Sequence, residues 1–359
     1  MKKYILPLIG LGLLTFNSCK NADIDHPDYI YQTLSFAQQS PIRTIVLGDD
    51  GDFSTEMDNN HQFRVMATLG GVNENKSRRT VEIKLAPELL EGVTFADGRP
   101  TMLLPDDYYE ISSTKIEIPK GMVRGGTVVT LTDKFFEDPL STGVNYVLPM
   151  IMYNGSDSIL EGRPSPGVEN PNRYVSYHWS VTPKDYQLLA LKYKNPYHGV
   201  WLSQGIDKIN NNGATSEVNR NKHYWEEADT CQFTTVKINI ARRHFAATVT
   251  VKDANGKDVD RTISCDVDLT VSENGAITVS TQTPECTASG NGQWTYKGAV
   301  KAWGNKDRDY ITLNYSYSIP YVVDESTGQT AVYSVQREEK LVMRDRQSRF
   351  ETFEFTYNQ

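Results

Sequence analysis

Alternation of apolar and polar residues, broken at short intervals by turn residues, constrains this chain more than any other feature of it. In Val81-Glu82-Ile83-Lys84-Leu85 and in Lys115-Ile116-Glu117-Ile118 every second residue is apolar. Successive side chains of a strand point to opposite faces, so each segment buries one face and wets the other. Strands are expected at 31–36, 43–47, 62–68, 80–85, 115–118, 128–131, 146–153 and 174–181. Roughly eight short strands within about 150 residues describe a β-sandwich. The second half reads the same way, with strands at 233–240, 245–252, 261–271, 276–280, 294–303, 310–319, 331–343 and 350–357. Asn255-Gly256 and Asn274-Gly275 are hairpin signals, because both residue types tolerate positive φ in a tight turn. Strands joined in sequence by hairpins form a meander, and closing a meander into a barrel removes its unpaired edges. The expected fold is all-β, a sandwich followed by an antiparallel barrel.

Two segments break the pattern. Residues 161–173 carry Pro164, Pro166 and Pro171 with two glycines and are expected to form a surface loop. Thr182-Pro183-Lys184-Asp185 then has the order of a helix start, with Thr at the N-cap, Pro just inside and an acid in the first turn. Tyr186, Leu189, Ala190 and Tyr193 follow at helical spacing, so a short helix is expected to join the two domains. The expected division is 1–18 a signal segment, 19–29 a tether, 30–182 the sandwich, 183–198 the joint and 199–359 the barrel, which would carry the ligand.

The first residues act as an address. Lys2 and Lys3 precede an apolar run over 5–16, and Ser18-Cys19 follows at once. The run is shorter than the ~20 residues that a spanning helix needs, so it reads as a cleaved secretory signal. Leu14-Thr15-Phe16-Asn17-Ser18-Cys19 resembles a bacterial lipobox. That resemblance implies lipidation of Cys19 and a membrane anchor in which each buried CH₂ contributes ~0.8 kcal/mol. Lys20 followed by Asp23 and Asp25 resembles a surface-export signal, so the outer membrane, facing outward, is the expected location. Cys231, Cys265 and Cys286 remain, an odd number that permits one disulfide and one free thiol, or three buried thiols, without fixing a pairing.

A net charge of -8 and a pI near 5.4 leave no basic face for displacing counterions from nucleic acid. There is no His-Glu-x-x-His, no Gly-x-x-x-x-Gly-Lys and no Gly-x-Ser-x-Gly, so the common zinc-protease, nucleotide-hydrolase and esterase motifs are missing. Asp106-Asp107 and Glu226-Glu227 are adjacent pairs, and neighbours on a strand point to opposite faces, which does not suit an acid/base pair. A glycosidase needs only two carboxylates and stays open among 45 acids. Asp49-Asp50-Gly51-Asp52 and Asp253-Ala254-Asn255-Gly256-Lys257-Asp258 lack the sixth-position glycine of a calcium loop and read as turns. No metal or cofactor is expected.

Sugar recognition needs flat apolar surfaces for the C–H faces of pyranose rings and planar hydrogen-bonding groups for their hydroxyls. The stretch 203–230 offers both and shows no obvious strands, and a loop of that length is often functional. Arg220, Asn221, Tyr224, Trp225, Glu226 and Asp229 are its candidate glycan-binding residues. Trp294, Tyr296 and Trp303 form a second aromatic set, read as barrel core, and Trp179 as packing beside the joint.

Five stretches carry a family resemblance: Asp58-Asn59-Asn60-His61-Gln62-Phe63, Gly70-Gly71-Val72, Leu104-Pro105-Asp106-Asp107-Tyr108-Tyr109, Ile118-Pro119-Lys120-Gly121 and Tyr146-Val147-Leu148-Pro149. With 31–36 they resemble the N-terminal immunoglobulin-like domain of Bacteroidetes lipoproteins of unknown function. Asn195-Pro196-Tyr197-His198-Gly199 resembles the opening of the domain that accompanies it. Gly199-Val200-Trp201 is similar to the Gly-x-Trp of lipocalin-like barrels, where an arginine from the last strands crosses the indole; Arg344, Arg346 and Arg349 are the candidates. In setting, the chain is similar to accessory surface glycan-binding proteins encoded beside starch-utilisation-type transporter pairs. That resemblance implies capture of an oligo- or polysaccharide, without catalysis, for a neighbouring outer-membrane transporter, and it transfers no ligand residues. A structural or adhesive protein that binds protein partners is the alternative, and a glycoside hydrolase the third reading.

Overall fold

In the computed structural model, which describes residues 28–358, the first half folds into two facing sheets. The signal segment and Cys19 lie outside the described residues. One sheet runs Ser158–Ile159, β1 (Thr33–Ser35), β3 (Gln62–Gly70), β7 (Arg124–Leu131) and β5 (Tyr109–Ile111). The other runs Glu351–Thr352, β2 (Pro41–Val46), β9 (Tyr186–Lys194), β8 (Tyr146–Tyr153), β4 (Arg79–Leu85) and β6 (Lys115–Ile118). Phe63, Val65, Ala67 and Leu69 alternate inward along β3 to meet Val81 and Ile83 of β4 and Ile116 and Ile118 of β6. This is the sandwich that the alternation predicts.

The expected helix after Thr182 is a strand. β9 pairs antiparallel with β8 and parallel with β2. Its Leu189, Leu191 and Tyr193 enter the sandwich core, while Tyr186, Leu188 and Ala190 pack on the other side with Val93, Phe95 and Phe353. A strand buried on both faces has a continuous apolar run in place of alternation, and such a run fits a helical stripe equally well. Residues 174–181, expected as the last sandwich strand, instead form a 3-10 turn at Ser176–His178 and a short strand, Trp179–Val181, paired with Arg163–Pro164. The joint therefore shrinks to residues 195–198.

The second half is a meander: β10 (Gly199–Asn211), β11 (Ala214–Asn219), β12 (Asp229–Lys237), β13 (Ile240–Lys252), β14 (Asp258–Val271), β15 (Ala276–Ser280), β16 (Thr287–Trp303), β17 (Lys306–Asp324) and β18 (Gln329–Asp345). One edge of β10 pairs with β18 from Val200↔Asp345 to Asn211↔Tyr333. Its other edge pairs first with β12 and then with β11. With β11 a side hairpin, the remaining eight strands close into a barrel. Gly199 has φ 141°, and a Cβ there would collide with the Asp345 carbonyl, so the strand can start here only with glycine. The final residues leave the barrel: Glu351–Thr352 joins β2 and Phe355–Tyr357 joins Val93–Phe95. The stretch 350–357 is thus part of the first body, not a barrel strand.

The expected irregular stretch 203–230 is largely strand, because Asn212-Gly213 turns β10 back into β11. Both residues sit at positive φ, 51° and 89°, as the tight two-residue hairpin requires. Asn255-Gly256 and Asn274-Gly275 also mark hairpins, but only their glycines take positive φ, in longer turns.

Burial inside the barrel is not purely apolar. The Glu339 carboxylate is fully buried and accepts from Arg243 Nη1 at 2.8 Å, Ser203 Oγ at 2.5 Å and Tyr315 OH at 3.0 Å. Arg220 grips Asp207 with Nε and Nη2, both at 2.9 Å, and Arg337 Nη2 reaches the same carboxylate at 2.6 Å. The Phe245 ring lies near both guanidinium groups, 4.5 Å from Arg243 and 5.0 Å from Arg337. Burial pushes the Glu339 carboxyl up, but Arg243 and Arg337 outweigh burial and hold it at about 2. A carboxylate held below its ordinary 4.5 stabilises the fold above that value and loses the contribution as pH falls toward about 2. Urea unfolding should therefore show the midpoint dropping across that window. Glu339→Gln should lower stability at neutral pH by about 3–5 kcal/mol, because it leaves buried guanidinium groups unpaired, and should flatten the pH dependence.

Candidate binding pocket at the domain junction

The contacts between the two bodies include one buried guanidinium set on main-chain carbonyls and two ion pairs. Arg346, just past β18, donates from Nη2 to Leu47 O and Asn195 O, both at 2.7 Å, and from Nη1 to Pro196 O. Nearby, Lys297 pairs with Asp49 at 2.9 Å and Lys306 with Asp52 at 3.0 Å. The Asp49-Asp50-Gly51-Asp52 run is therefore a turn, with Asp52 N donating to Asp50 Oδ1, and barrel lysines neutralise it.

Between the outer face of β2 and the chain leaving Arg346 lies a pocket of about 290 Å³. Ile42, Thr44 and Val46 line it from β2, Phe53, Ser54 and Thr55 from the loop that follows, and 347–351 from the returning tail. Two aromatic rings stand exposed at it, Phe53 at 62% and Phe350 at 71%. Asp58 on α1 (Glu56–Asn59) is buried, pairs with Arg43 and accepts Val46 N–H at 2.9 Å. Burial nevertheless pushes its carboxyl up, against the pull of Arg43. Glu351 accepts from Lys192 at 2.7 Å and from Thr44 Oγ1 at 3.2 Å. Lys194 reaches over to Gln347 O at 2.8 Å, and burial pulls its pKa down. Such concavities between bodies, with apolar walls and a few placed polar groups, are the usual setting of small-ligand sites. Both pocket carboxylates are held by cations, Asp58 by Arg43 and Glu351 by Lys192.

The six residues singled out in the sequence do not converge. Arg220 is drawn into the barrel network and touches Asp207, Ser203 and Glu339. Asn221 borders a depression of about 540 Å³ on the barrel's outer face, beside Asn291, Thr312 and Asn314. Tyr224 is 59% exposed, Trp225 is half-buried at the start of a one-turn 3-10 helix (Trp225–Glu227), and Glu226 and Asp229 face solvent. The outer depression is roomier than the junction pocket but has no aromatic wall. Of the second set, Trp294 meets Tyr197 edge-on at 5.6 Å, Tyr296 is exposed, and Trp303 lies under the Arg344 guanidinium at 5.3 Å. Trp201 is fully buried and donates to Tyr197 O, so Arg344 crosses a different indole and Arg346 serves the junction. Trp179 donates to Asn172 O and packs against Gly162. Cys231, Cys265 and Cys286 are free thiols; Cys265 is buried and the other two are half-buried.

Phe53, Phe350, Lys194, Ser348 and Glu351 escaped the sequence reading. The signal for the two phenylalanines was faint: each is a lone aromatic in a polar stretch, Asp52-Phe53-Ser54 and Arg349-Phe350-Glu351.

Comparison with known proteins places these features in a group. Residues 196–347 match a family described as a domain of unknown function, DUF5627. Residues 27–159 match one described as an N-terminal domain. No curated protein matches the chain. A Bacteroides ovatus protein of unknown function is similar at 32% identity and a TM-score of 0.77, with 92% of this chain and 100% of that one covered. A multidomain B. ovatus protein that includes DUF1735 aligns at 12% identity and TM-score 0.43, over 87% of this chain and 94% of its own. Another from the same organism aligns at 14% and 0.40, over 90% and 99%. Likeness as slight as the last two carries no argument. If Arg220 holds the barrel together, Arg220→Ala should lower stability by about 3 kcal/mol in chemical unfolding. Tyr224→Ala, which removes an exposed ring, should change it by less than about 0.5 kcal/mol.

Proposed function

We propose, for a chain that belongs to the same family as that full-length Bacteroides ovatus match, a role in non-catalytic binding of carbohydrate at the junction pocket. One observation carries this reading: two exposed aromatic rings, Phe53 and Phe350, border a pocket whose polar groups include Arg43, Thr44, Ser348 and Glu351. Ring faces take the C–H side of a sugar, and the guanidinium, carboxylate and hydroxyl groups take its hydroxyls. A volume of about 290 Å³ fits one or two sugar units at a time, so a longer chain would run out over the rim. Lipidation of Cys19 would hold the protein on the outer membrane, where captured glycan passes to a neighbouring transporter.

A second reading is favoured by β11. All six of its side chains are exposed and it lies at the end of its sheet, so its free edge could accept a strand from a protein partner.

Two experiments separate these ideas. In affinity electrophoresis against a polysaccharide panel, Phe53→Ala and Phe350→Ala should each weaken retardation about tenfold, the worth of one stacking contact, with no new reducing ends. Loss of retardation on Trp225→Ala instead would move the site to the barrel loop. Cys19→Ser should shift the protein from the membrane fraction to the soluble one; continued sedimentation with membranes would remove the lipid anchor from the reading.

A further inference from the structure

The charges around the junction pocket do not cancel. Arg43 is held by Asp58, and Glu351 by Lys192 and Thr44. That leaves two lining cations, Lys194 and Arg349, with no carboxylate within ion-pair distance among the described residues. Lys194 Nζ is oriented by two main-chain carbonyls, Gln347 O at 2.8 Å and Arg346 O at 3.4 Å, which fix its position without neutralising it. Arg349 is exposed on the stretch between Ser348 and Phe350, and both Arg349 and Phe350 line the same opening. Lys192 is paired with Glu351, and the buried Arg346 lies among Asp309, Asp50 and Asp49, so the unpaired positive charge at the opening is that of Lys194 and Arg349, with Glu351 and Asp345 the acids nearest Lys194. An excess of cations is thus gathered at one concavity of a chain whose net charge is -8. On an acidic protein such a spot attracts a small anion and repels little of its surroundings.

We propose that the pocket selects an acidic sugar, a hexuronate unit of a glycan chain, whose carboxylate meets Arg349 and Lys194 while its ring faces Phe53 or Phe350. This rests on the carbohydrate reading given above and narrows its substrate class. A guanidinium matches a carboxylate with two parallel N–H donors, and a lysine adds a point charge beside it. The apolar walls explain why the ligand is a sugar acid in place of a bare inorganic anion: Ile42, Val46, Phe53 and Phe350 offer nothing to a phosphate.

The test uses the full chain in detergent and calorimetric titration with four probes: oligogalacturonate, oligoglucuronate and the methyl ester of each. At least one acid form should bind, its methyl ester should bind about tenfold more weakly, and the difference should shrink in high salt. Arg349→Gln should weaken the acid form about tenfold, whereas Lys340→Gln, the same charge removed from the barrel's outer face, should leave it unchanged. Thermal unfolding of both variants should match the parent, since both side chains are exposed. Equal binding of acid and ester, or binding of neutral glycans alone, would overturn the acidic selection and leave the carbohydrate reading standing. Binding of no glycan, acidic or neutral, would overturn both.

Discussion

Every strand edge exposes backbone donors and acceptors that must find partners, and this constraint shapes the chain from end to end. In the barrel it is met by joining β10 to β18, the first and last strands, along almost their whole lengths. In the sandwich the edge strand β2 is covered by two residues, Glu351–Thr352, that arrive after the barrel is complete. The covering segment then continues to Val93–Phe95 and places Phe353 on the outer face of the second sheet. The chain's end is therefore a structural part of its beginning, and the junction pocket is the space left where it crosses over.

The same crossing explains why the two bodies meet through polar contacts. Arg346 sits where the chain leaves the barrel, and its guanidinium donates to three carbonyls, one of which, Asn195 O, also accepts from His198 N. Burying that cation is costly unless its donors are matched, and here carbonyls of residues 47, 195 and 196 take Nη1 and Nη2 while Nε is left without a partner. Inside the barrel a similar solution recurs with the signs balanced differently: Glu339 and Asp207 are enclosed by Arg220, Arg243 and Arg337. An eight-stranded barrel has an interior just wide enough for side chains, and this cluster fills part of it. The concavities described above lie outside the barrel interior, at the junction and on the barrel's outer face.

Most of the strands were legible in the sequence because one buried face and one wet face leave a period of two. Gln62–Gly70, Lys115–Ile118 and Ala276–Ser280 lie where the pattern places them. The exceptions share a cause. β9 is buried on both sides and so lost its alternation, which made Tyr186, Leu189, Ala190 and Tyr193 look helical. β10 and β11 were hidden by a polar composition that suited a loop, although Asn212-Gly213 carries the same hairpin signal recognised at Asn255-Gly256. The aromatic and amide content of 220–229 pointed to a site there, yet Arg220 is turned inward by Asp207, a partner thirteen residues away in sequence.

What the sequence determined by itself was the all-β class of the fold, because that follows from local pattern and composition. It could not determine the pocket. Phe53 and Phe350 are separated by nearly the length of the described chain, and nothing local to either says that it has a counterpart. Only the return of the tail onto β2 brings them together, and that return is decided by the unpaired edge of one strand and the buried guanidinium of Arg346. Long-range pairing of this kind is a property of the assembled surfaces, so it becomes readable only once the chain has folded.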